Sequence, residues 1–282
     1  ICDPAPDIET KVRDVFATAG SALAALGFET AGMTDQLRFK KDIAEAVASA
    51  DIVQECGPER PAFKQGLWKT IEGAAPADAL LLSSSSSIPA SIQASDMAEP
   101  GRIIIGHPFN PPHLMPLVEV VPNPKTDPAL TVRVMEFYTG LGKVAVEIRK
   151  EIAGFVANRL QSAIFQECVY LVANGIVTLV ELDQVVTQSL GIRWATNGPF
   201  LSFHLGGGPA GLPHFIEHLG VGMEQLWKVL GKASFDEPTK KLLIDQFSAS
   251  YGAQSYEDLA EARDAGEIAI INGLARANVT VG

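Results

Sequence analysis

Residues 106–112 read Gly-His-Pro-Phe-Asn-Pro-Pro, and residues 117–121 read Leu-Val-Glu-Val-Val. The residues just before them, 102–105, are Arg-Ile-Ile-Ile, an apolar run typical of a parallel strand that helices cover on both faces. His107 would then lie at the carboxyl end of that strand, the edge where open α/β sheets bind their ligands. These two segments indicate both the fold class and the place of a candidate site.

Glu119 lies inside the second apolar run, where an ionised carboxylate is costly unless it has a partner. His107 is its nearest natural partner. A carboxylate bound to one ring nitrogen fixes the histidine tautomer and leaves the other nitrogen to accept a proton. The two residues are therefore a candidate proton-transfer pair, although a structural histidine in a Pro-rich turn and a solvent-facing strand glutamate are the ordinary alternatives.

Strands and helices alternate through the first half of the chain, which predicts a Rossmann-type, doubly wound parallel sheet in an NAD-binding domain at residues 1–149. The chain starts with what resembles the last residues of a strand, so we expect the first strand, the glycine loop and the first helix of such a domain to be missing from it. The predicted strands cover residues 50–56, 79–83, 102–106, 118–121 and 143–148, and the predicted helices residues 7–26, 61–71 and 127–138.

The second half, residues 150–282, has apolar residues at helical spacing and no strand pattern. Thr178 and Glu181 form a capping box, which predicts the start of a helix. Further helices are predicted around residues 214–230, 237–249 and 256–274. We therefore expect an all-helical domain for substrate binding and dimerisation.

The composition restricts the possible partners. The formal charge of −11 disfavours binding to nucleic acid or to an anionic membrane, which requires clustered Lys and Arg. The three cysteines are far apart and do not form metal-binding spacings, so we expect a reducing, cytoplasmic location with no disulfide and no metal. No apolar run reaches the roughly 18 residues of a membrane helix. A small molecule or a second copy of the chain is the expected partner.

Asp3 lies where dinucleotide-binding domains place an acid that accepts hydrogen bonds from the adenosine ribose. Such an acid favours NAD over NADP, because it repels a 2′-phosphate. An ordinary Asp-Pro turn is the alternative.

Residues 83–87 are five serines that directly follow a predicted buried strand. A serine run is usually a flexible linker, but this one would lie at the same sheet edge as His107, where a hydroxyl can bind a substrate oxygen. Asn158 is a polar residue at the start of a predicted long helix, and Arg159 follows it. A hydrogen bond to the local backbone and a surface charge are the respective alternatives for these two residues.

Taken together, the motifs at residues 106–112, 117–121 and 154–160 resemble those of the 3-hydroxyacyl-CoA dehydrogenase superfamily, in order and approximate spacing along essentially the whole chain. The resemblance implies NAD as cofactor, with contacts at Glu59 and Lys64; both would otherwise be solvated helix charges. It also implies a group of four catalytic residues, His107, Glu119, Asn158 and Ser86, with Ser85 and Ser87 as alternatives to Ser86.

The helical half resembles the carnitine dehydrogenase branch of this superfamily most closely, in residues 191–199 and 203–215. Carnitine has a quaternary ammonium and a carboxylate on either side of its hydroxyl. Trp194 or Phe203 could face the cation and Arg193 could bind the carboxylate, with core packing as the alternative for the aromatic residues.

We therefore expect an NAD-dependent dehydrogenase that oxidises the 3-hydroxyl of L-carnitine. The alternatives are oxidation of another 3-hydroxy acid, such as a 3-hydroxyacyl-CoA or L-gulonate, and a catalytically silent structural relative. The resemblance further implies a homodimer formed through the helical domain.

Overall fold

A computed structural model describes residues 1–277. These residues form two compact units, Ile1–Arg159 and a second unit that begins at Leu160. The predicted domain boundary at residues 149/150 stays a prediction.

The first unit is a five-stranded sheet with helices between most of its strands, and the strands follow one another in the sheet in chain order. The predicted Rossmann-type sheet is confirmed. Its strands are β1 (Ile52–Glu55), β2 (Leu80–Ser83), β3 (Ile103–Pro108), β4 (Leu117–Pro122) and β5 (Val144–Glu147). Its helices are α1 (Ile8–Ala25), α2 (Ile43–Val47), α3 (Pro61–Ala74), α4 (Ala90–Gln93) and α5 (Pro128–Gly140), and a 3₁₀ turn at Pro100–Arg102 precedes β3.

One strand pair departs from the predicted parallel arrangement. Strand β4 runs antiparallel to β3, whereas the pairs β1–β2, β2–β3 and β4–β5 are parallel. The physical reason is the short connection of residues 109–116, because a parallel crossover needs about a dozen residues or more. The antiparallel register places His107 directly opposite Glu119.

Apolar side chains cover both faces of the central strands β2, β3 and β4, which explains why these strands are continuously apolar in sequence, whereas the edge strand β5 is largely exposed. On one face, Leu81 and Ile105 pack in a buried cluster with Trp68 of α3. On the other face, Leu82 and Ile104 pack with residues of α5.

The start of the chain makes only one bridge to the rest of the unit. Cys2 pairs with Lys40 in an isolated parallel bridge, and α1 begins shortly afterwards at Ile8. The strand end that the sequence suggested at residues 1–2 is thus a single bridge in this structure.

The second unit contains helices and no strand among its described residues, 160–277, in agreement with the prediction. The capping box of Thr178 and Glu181 is confirmed, with both reciprocal hydrogen bonds present. Helix α6 (Ala157–Ala173) begins in the first unit and is followed by α7 (Leu179–Val185), a π-helical turn (Val186–Gly191), α8 (Ile192–Thr196), α9 (Pro199–Gly206), α10 (Gly211–Val229), α11 (Glu237–Tyr251) and α12 (Tyr256–Arg276). Among residues 1–277, no helix is long and apolar enough to cross a membrane.

Gly106 in β3 allows the close approach of Tyr138 from α5. A β-carbon at residue 106 would lie 1.9 Å from the Tyr138 hydroxyl oxygen, which donates a 2.6 Å hydrogen bond to Gln54. We expect Gly106→Ala to lower the free energy of unfolding by about 1–3 kcal/mol through overpacking.

Gly66→Ala in α3 is the matched control, because a β-carbon there meets no atom within 4 Å. It should be neutral or stabilising by about 0.5–1 kcal/mol. Urea unfolding of the two variants measures the difference, and equal stabilities would contradict the steric explanation.

Candidate active site

His107 and Glu119 form a buried hydrogen-bonded pair at the carboxyl end of β3. The distance between His107 Nδ1 and Glu119 Oε2 is 3.0 Å, and the two residues are 5% and 1% exposed. Facing positions on antiparallel strands have neighbouring side chains, so the register of β3 and β4 brings the two together. The other ring nitrogen, Nε2, has no hydrogen-bond partner in the part of the chain that the structure describes.

The second oxygen of Glu119 accepts hydrogen bonds from the start of α6. The backbone N–H groups of Val156 and Ala157 both donate to Oε1, each at 2.9 Å. Burial raises the pKa of Glu119, but the hydrogen bonds from His107, Ala157 and Val156 outweigh this, and the pKa is lowered from its ordinary value. The carboxylate therefore stays ionised beside the imidazole at neutral pH.

Two aromatic rings enclose the imidazole. The ring centroid of Phe109 lies 4.7 Å from that of His107, and the centroid of Phe155 lies 5.5 Å away. Phe155 is fully buried, and its backbone is left-handed, with φ of +47°. Phe155 is not recognisable as a site residue from the sequence, because a positive φ at a non-glycine residue has no reliable sequence pattern.

The five serines occupy different environments. Ser83 and Ser85 are buried, and their hydroxyls donate to Glu55 and Glu59 at 2.7 Å. Ser85 Oγ also accepts the backbone N–H of Ile88, so it serves the local structure. The run is thus an ordered segment at the sheet edge and not a flexible linker.

Ser86 and Asn158 lie next to each other. Asn158 Nδ2 donates to the carbonyl oxygen of Ser86 at 3.3 Å, and the Ser86 backbone N–H donates to Glu59 at 2.7 Å. Because Asn158 follows the amide of Ala157 that binds Glu119, all four catalytic candidates belong to one connected set of contacts. Their catalytic roles stay predictions.

Glu59 lies in the turn between β1 and α3, where its carboxylate is exposed. It accepts hydrogen bonds from the Ser85 hydroxyl, from the Ser86 amide and, at 3.4 Å, from the Ser86 hydroxyl. A carboxylate has about four acceptor positions. Glu59 is therefore able to accept a further hydrogen bond from a ribose hydroxyl, and this fits the predicted contact with NAD.

Lys64 is a buried residue of α3, and its contact with NAD stays a prediction. It is 1% exposed, so it is not a solvated helix charge. Its ammonium donates to both oxygens of the buried Glu55 at 2.8 Å and to the carbonyl of Gly57 at 3.1 Å. Since an ammonium has three donors, all are engaged, and the charge expected to attract an anionic cofactor is neutralised inside the protein.

Asp3 is exposed and stands apart from these contacts. One of its carboxylate oxygens accepts the backbone N–H of Ala5 at 2.8 Å, as in a local turn that precedes a helix. The turn interpretation of Asp3 and its predicted ribose contact are compatible, because the other carboxylate oxygen of Asp3 has no partner among residues 1–277.

Arg159, at the other end of the unit, is exposed. Its guanidinium donates only to the carbonyl oxygen of Ala153, at 3.4 Å.

The three predicted substrate residues belong to the helical unit. Arg193 and Trp194 are exposed on α8, and Phe203 on α9 stacks on Phe215 of α10 with a centroid distance of 4.5 Å. For Phe203, the packing alternative is thus supported. No group of three His, Cys, Asp or Glu suited to a metal occurs among residues 1–277, and the three cysteines are free.

The sequence of the chain matches two family models. Residues 5–152 match the model for the NAD-binding domain of 3-hydroxyacyl-CoA dehydrogenase, and residues 154–241 match the model for the C-terminal domain of the same family. The chain is an NAD-dependent 3-hydroxy acid dehydrogenase. It belongs to the 3-hydroxyacyl-CoA dehydrogenase family.

Its relatives include enzymes with different substrates. An L-carnitine dehydrogenase of Streptomyces griseus is 37% identical over 274 residues, which are 97% of this chain and 82% of the relative. A 3-hydroxyacyl-CoA dehydrogenase of Gibberella moniliformis is 38% identical over 269 residues, 94% of this chain and 83% of the relative.

Among solved structures, a similar one is the 5-formyl-3-hydroxy-2-methylpyridine 4-carboxylic acid 5-dehydrogenase, described as an NAD⁺-dependent dismutase. Its TM-score is 0.82 at 28% identity, with 97% of this chain and 89% of that chain covered.

The lowered pKa of Glu119 makes an acid-dependent contribution to stability. The stabilisation is fully present above the unfolded-state pKa of about 4.3 and is lost as the pH falls through the lower folded-state value. We expect wild-type protein to lose stability more steeply than Glu119→Gln between about pH 5 and pH 3, as measured by urea unfolding. A stability difference that does not change with pH would show that Glu119 is not ionised in the folded protein.

Proposed function

We propose that this protein oxidises the 3-hydroxyl of L-carnitine to 3-dehydrocarnitine with NAD as hydride acceptor. The observation that carries the proposal is the His107–Glu119 pair, in a chain that is 35–37% identical to several L-carnitine dehydrogenases over most of its length. When bound, NAD accepts the hydride that leaves carbon 3 of the substrate.

In this mechanism His107 is the general base. Its Nδ1 is bound to Glu119, so Nε2 is the nitrogen that takes the hydroxyl proton as the carbonyl forms. The ionised Glu119 stabilises the imidazolium that results and keeps the ring in the required tautomer.

Ser86 and Asn158 would hold the substrate oxygen. Ser86 is half-buried, whereas Ser85 is buried with its hydroxyl engaged and Ser87 is exposed. Asn158 is bound to the backbone of Ser86, and the Ser86 hydroxyl makes only a long hydrogen bond, 3.4 Å, to the exposed Glu59, so this hydroxyl can still exchange to a ligand. These contacts favour Ser86 over its two neighbours.

The remaining roles concern the ends of the two ligands. Glu59 and Asp3 would accept hydrogen bonds from ribose hydroxyls of NAD, and Lys64 would act indirectly by keeping Glu55 and Gly57 in place. The exposed Trp194 would face the quaternary ammonium and Arg193 the carboxylate of carnitine. Phe203 would contribute by its stack on Phe215.

A second candidate function is the oxidation of a 3-hydroxyacyl-CoA, which the 38% identical relative from Gibberella moniliformis favours. L-gulonate is a further possible substrate, and a silent relative would oxidise none of the three. Each substrate presents a secondary hydroxyl to the same base, so the His107–Glu119 pair alone does not discriminate among them.

The test is a comparison of kcat/KM for NADH formation with L-carnitine, 3-hydroxybutyryl-CoA and L-gulonate. We expect L-carnitine to have the highest value, and His107→Gln to lower its turnover by about 10²–10⁴-fold. NAD binding, measured by calorimetry, should be kept in this variant.

His218→Gln is the matched control, because His218 is an exposed histidine on α10. It should retain wild-type turnover. A higher kcat/KM with one of the other substrates would reject the carnitine proposal, and full activity of His107→Gln would reject the proposed base.

The homodimer is the second part of this proposal. The helical unit exposes many large apolar residues, including Phe200 at 78%, Trp227 at 61% and Val229 at 71%. It also has an apolar groove of about 780 Å³ between α6, α7 and α11, lined by residues such as Phe165, Leu182 and Phe247. Single exposed apolar residues are ordinary, but this many of them together with an apolar groove are typical of an interaction surface. We propose that a second copy of the chain covers this surface.

Light scattering after size-exclusion chromatography should give twice the mass of one chain. Trp227→Lys on the exposed face of α10 should shift the mass toward that of a monomer, whereas Lys69→Glu on α3 of the first unit, the charge-changing control, should not. A wild-type monomer at micromolar concentration would contradict the proposal.

A further inference from the structure

The backbone of Phe155 has an unusual conformation for its residue type. Among residues 1–277, Phe155 is the only non-glycine residue with a positive φ, which is +47°. It directly follows Gly154, whose φ is +74°. A left-handed conformation costs free energy at any residue with a β-carbon. Asn and Asp reduce this cost with local hydrogen bonds, but a phenyl ring is unable to do so. Another interaction must therefore keep Phe155 in place.

The phenyl ring provides that interaction. It is fully buried and belongs to the core cluster that contains Trp68, Leu81, Ile105 and Val121. Burial of a large apolar side chain is strongly favourable, and it compensates for the backbone strain. Packing against the sheet and α3 thus fixes the position of the ring. The position of the ring in turn keeps the backbone of residue 155 in the left-handed conformation.

The strained turn sets the direction of the next two amides. Val156 and Ala157 both donate to Glu119 Oε1 at 2.9 Å, immediately before and at the first residue of α6. The two successive N–H groups that converge on this oxygen directly follow the left-handed residues 154 and 155, so the conformation of these residues sets where the amides point. With Oε1 occupied, Oε2 is the oxygen that binds His107.

The same ring also borders the imidazole. The ring centroids of Phe155 and His107 are 5.5 Å apart, with an interplanar angle of 54°. The hydrogen bond from His107 is one of the contacts that lower the pKa of Glu119. The side chain of Phe155 therefore borders His107, and the two residues that follow Phe155 bind Glu119 with their backbone amides.

We propose that Phe155 is a positioning residue for the His107–Glu119 pair. Its ring, packed in the core, keeps its backbone left-handed, so that the amides of Val156 and Ala157 bind one oxygen of Glu119 and the other oxygen orients the imidazole. The catalytic consequence rests on the proposed function, but the effect on Glu119 does not, because it concerns the protein without substrate.

The experiment measures the ionisation of Glu119 directly. In protein labelled with ¹³C at the glutamate carboxyl carbon, the difference from Glu119→Gln identifies the Glu119 resonance, and a pH titration follows it. We expect Phe155→Ala to raise the pKa of Glu119, since the amides move away while the carboxylate stays buried. With the substrate that the enzyme uses, kcat should fall at least tenfold with little change in KM.

Two further substitutions at residue 155 separate the ring from the backbone. Phe155→Gly accepts the left-handed conformation but has no ring, so it should behave like Phe155→Ala. Phe155→Leu keeps an apolar side chain in the core and should leave the Glu119 titration close to that of the wild type. Wild-type titration of Glu119 in a folded Phe155→Ala or Phe155→Gly variant would reject the proposal.

Phe109→Leu is the matched control. Phe109 also borders the imidazole, at 4.7 Å, but does not precede α6, so the Glu119 titration should not change. If the Phe155 variants fail to fold, Gly154→Ala disturbs the same turn more mildly and should also raise the pKa of Glu119; no change in this variant would reject the proposal. A wild-type protein that is inactive on every substrate tested, yet shows these titration shifts, would reject the proposed function and keep this inference.

Discussion

The buried carboxylate of Glu119 is the constraint on which the candidate site depends. An ionised carboxylate in an apolar sheet costs several kcal/mol unless hydrogen bonds satisfy it. His107 and the amides of Val156 and Ala157 supply three such bonds. The register of two strands, the start of α6 and the orientation of one imidazole are therefore coupled, because a shift in any one of them would remove at least one of the hydrogen bonds that satisfy the carboxylate.

A second buried carboxylate organises the neighbouring part of the sheet edge. Glu55, at the end of β1, binds Lys64 of α3 and the hydroxyl of Ser83 at the end of β2. Glu55 thus links the ends of β1 and β2 to α3. The exposed Glu59 binds Ser85 and Ser86, further along the serine run. A buried ion pair adds little net stability, but the loss of one partner leaves an unpaired charge in the core. Here the paired Glu55 also accepts hydrogen bonds from the Ser83 hydroxyl and the Ser84 backbone N–H, at the start of the serine run.

The two units differ in how they bury their apolar residues. The central strands β2, β3 and β4 of the first unit are covered on both faces, whereas the helices of the second unit expose Phe200, Trp227 and Val229. Exposed apolar surface of this extent marks interaction sites, which is the reason for the proposed homodimer. The proposed substrate residues belong to the same helical unit, so under the proposed function assembly and specificity would be properties of one part of the chain.

The sequence by itself determined the alternation of strands and helices, the helical second half and the pairing of His107 with Glu119. Apolar periodicity, the capping box at Thr178 and the cost of a lone buried carboxylate are local or pairwise properties. They can therefore be inferred from a single amino-acid sequence. Family resemblance added the choice of Ser86 and Asn158 and the contacts of NAD, and their roles stay predictions.

Only the tertiary structure decided the direction of β4, the burial of Lys64 and the left-handed turn at Phe155. Strand direction depends on how a short connection closes, and the environment of Lys64 depends on Glu55, a residue on another element. The turn at Phe155 is intrinsically unfavourable and exists because its ring packs against residues distant in the chain. These features arise from contacts between separate elements, whose free energies no local pattern of residues contains.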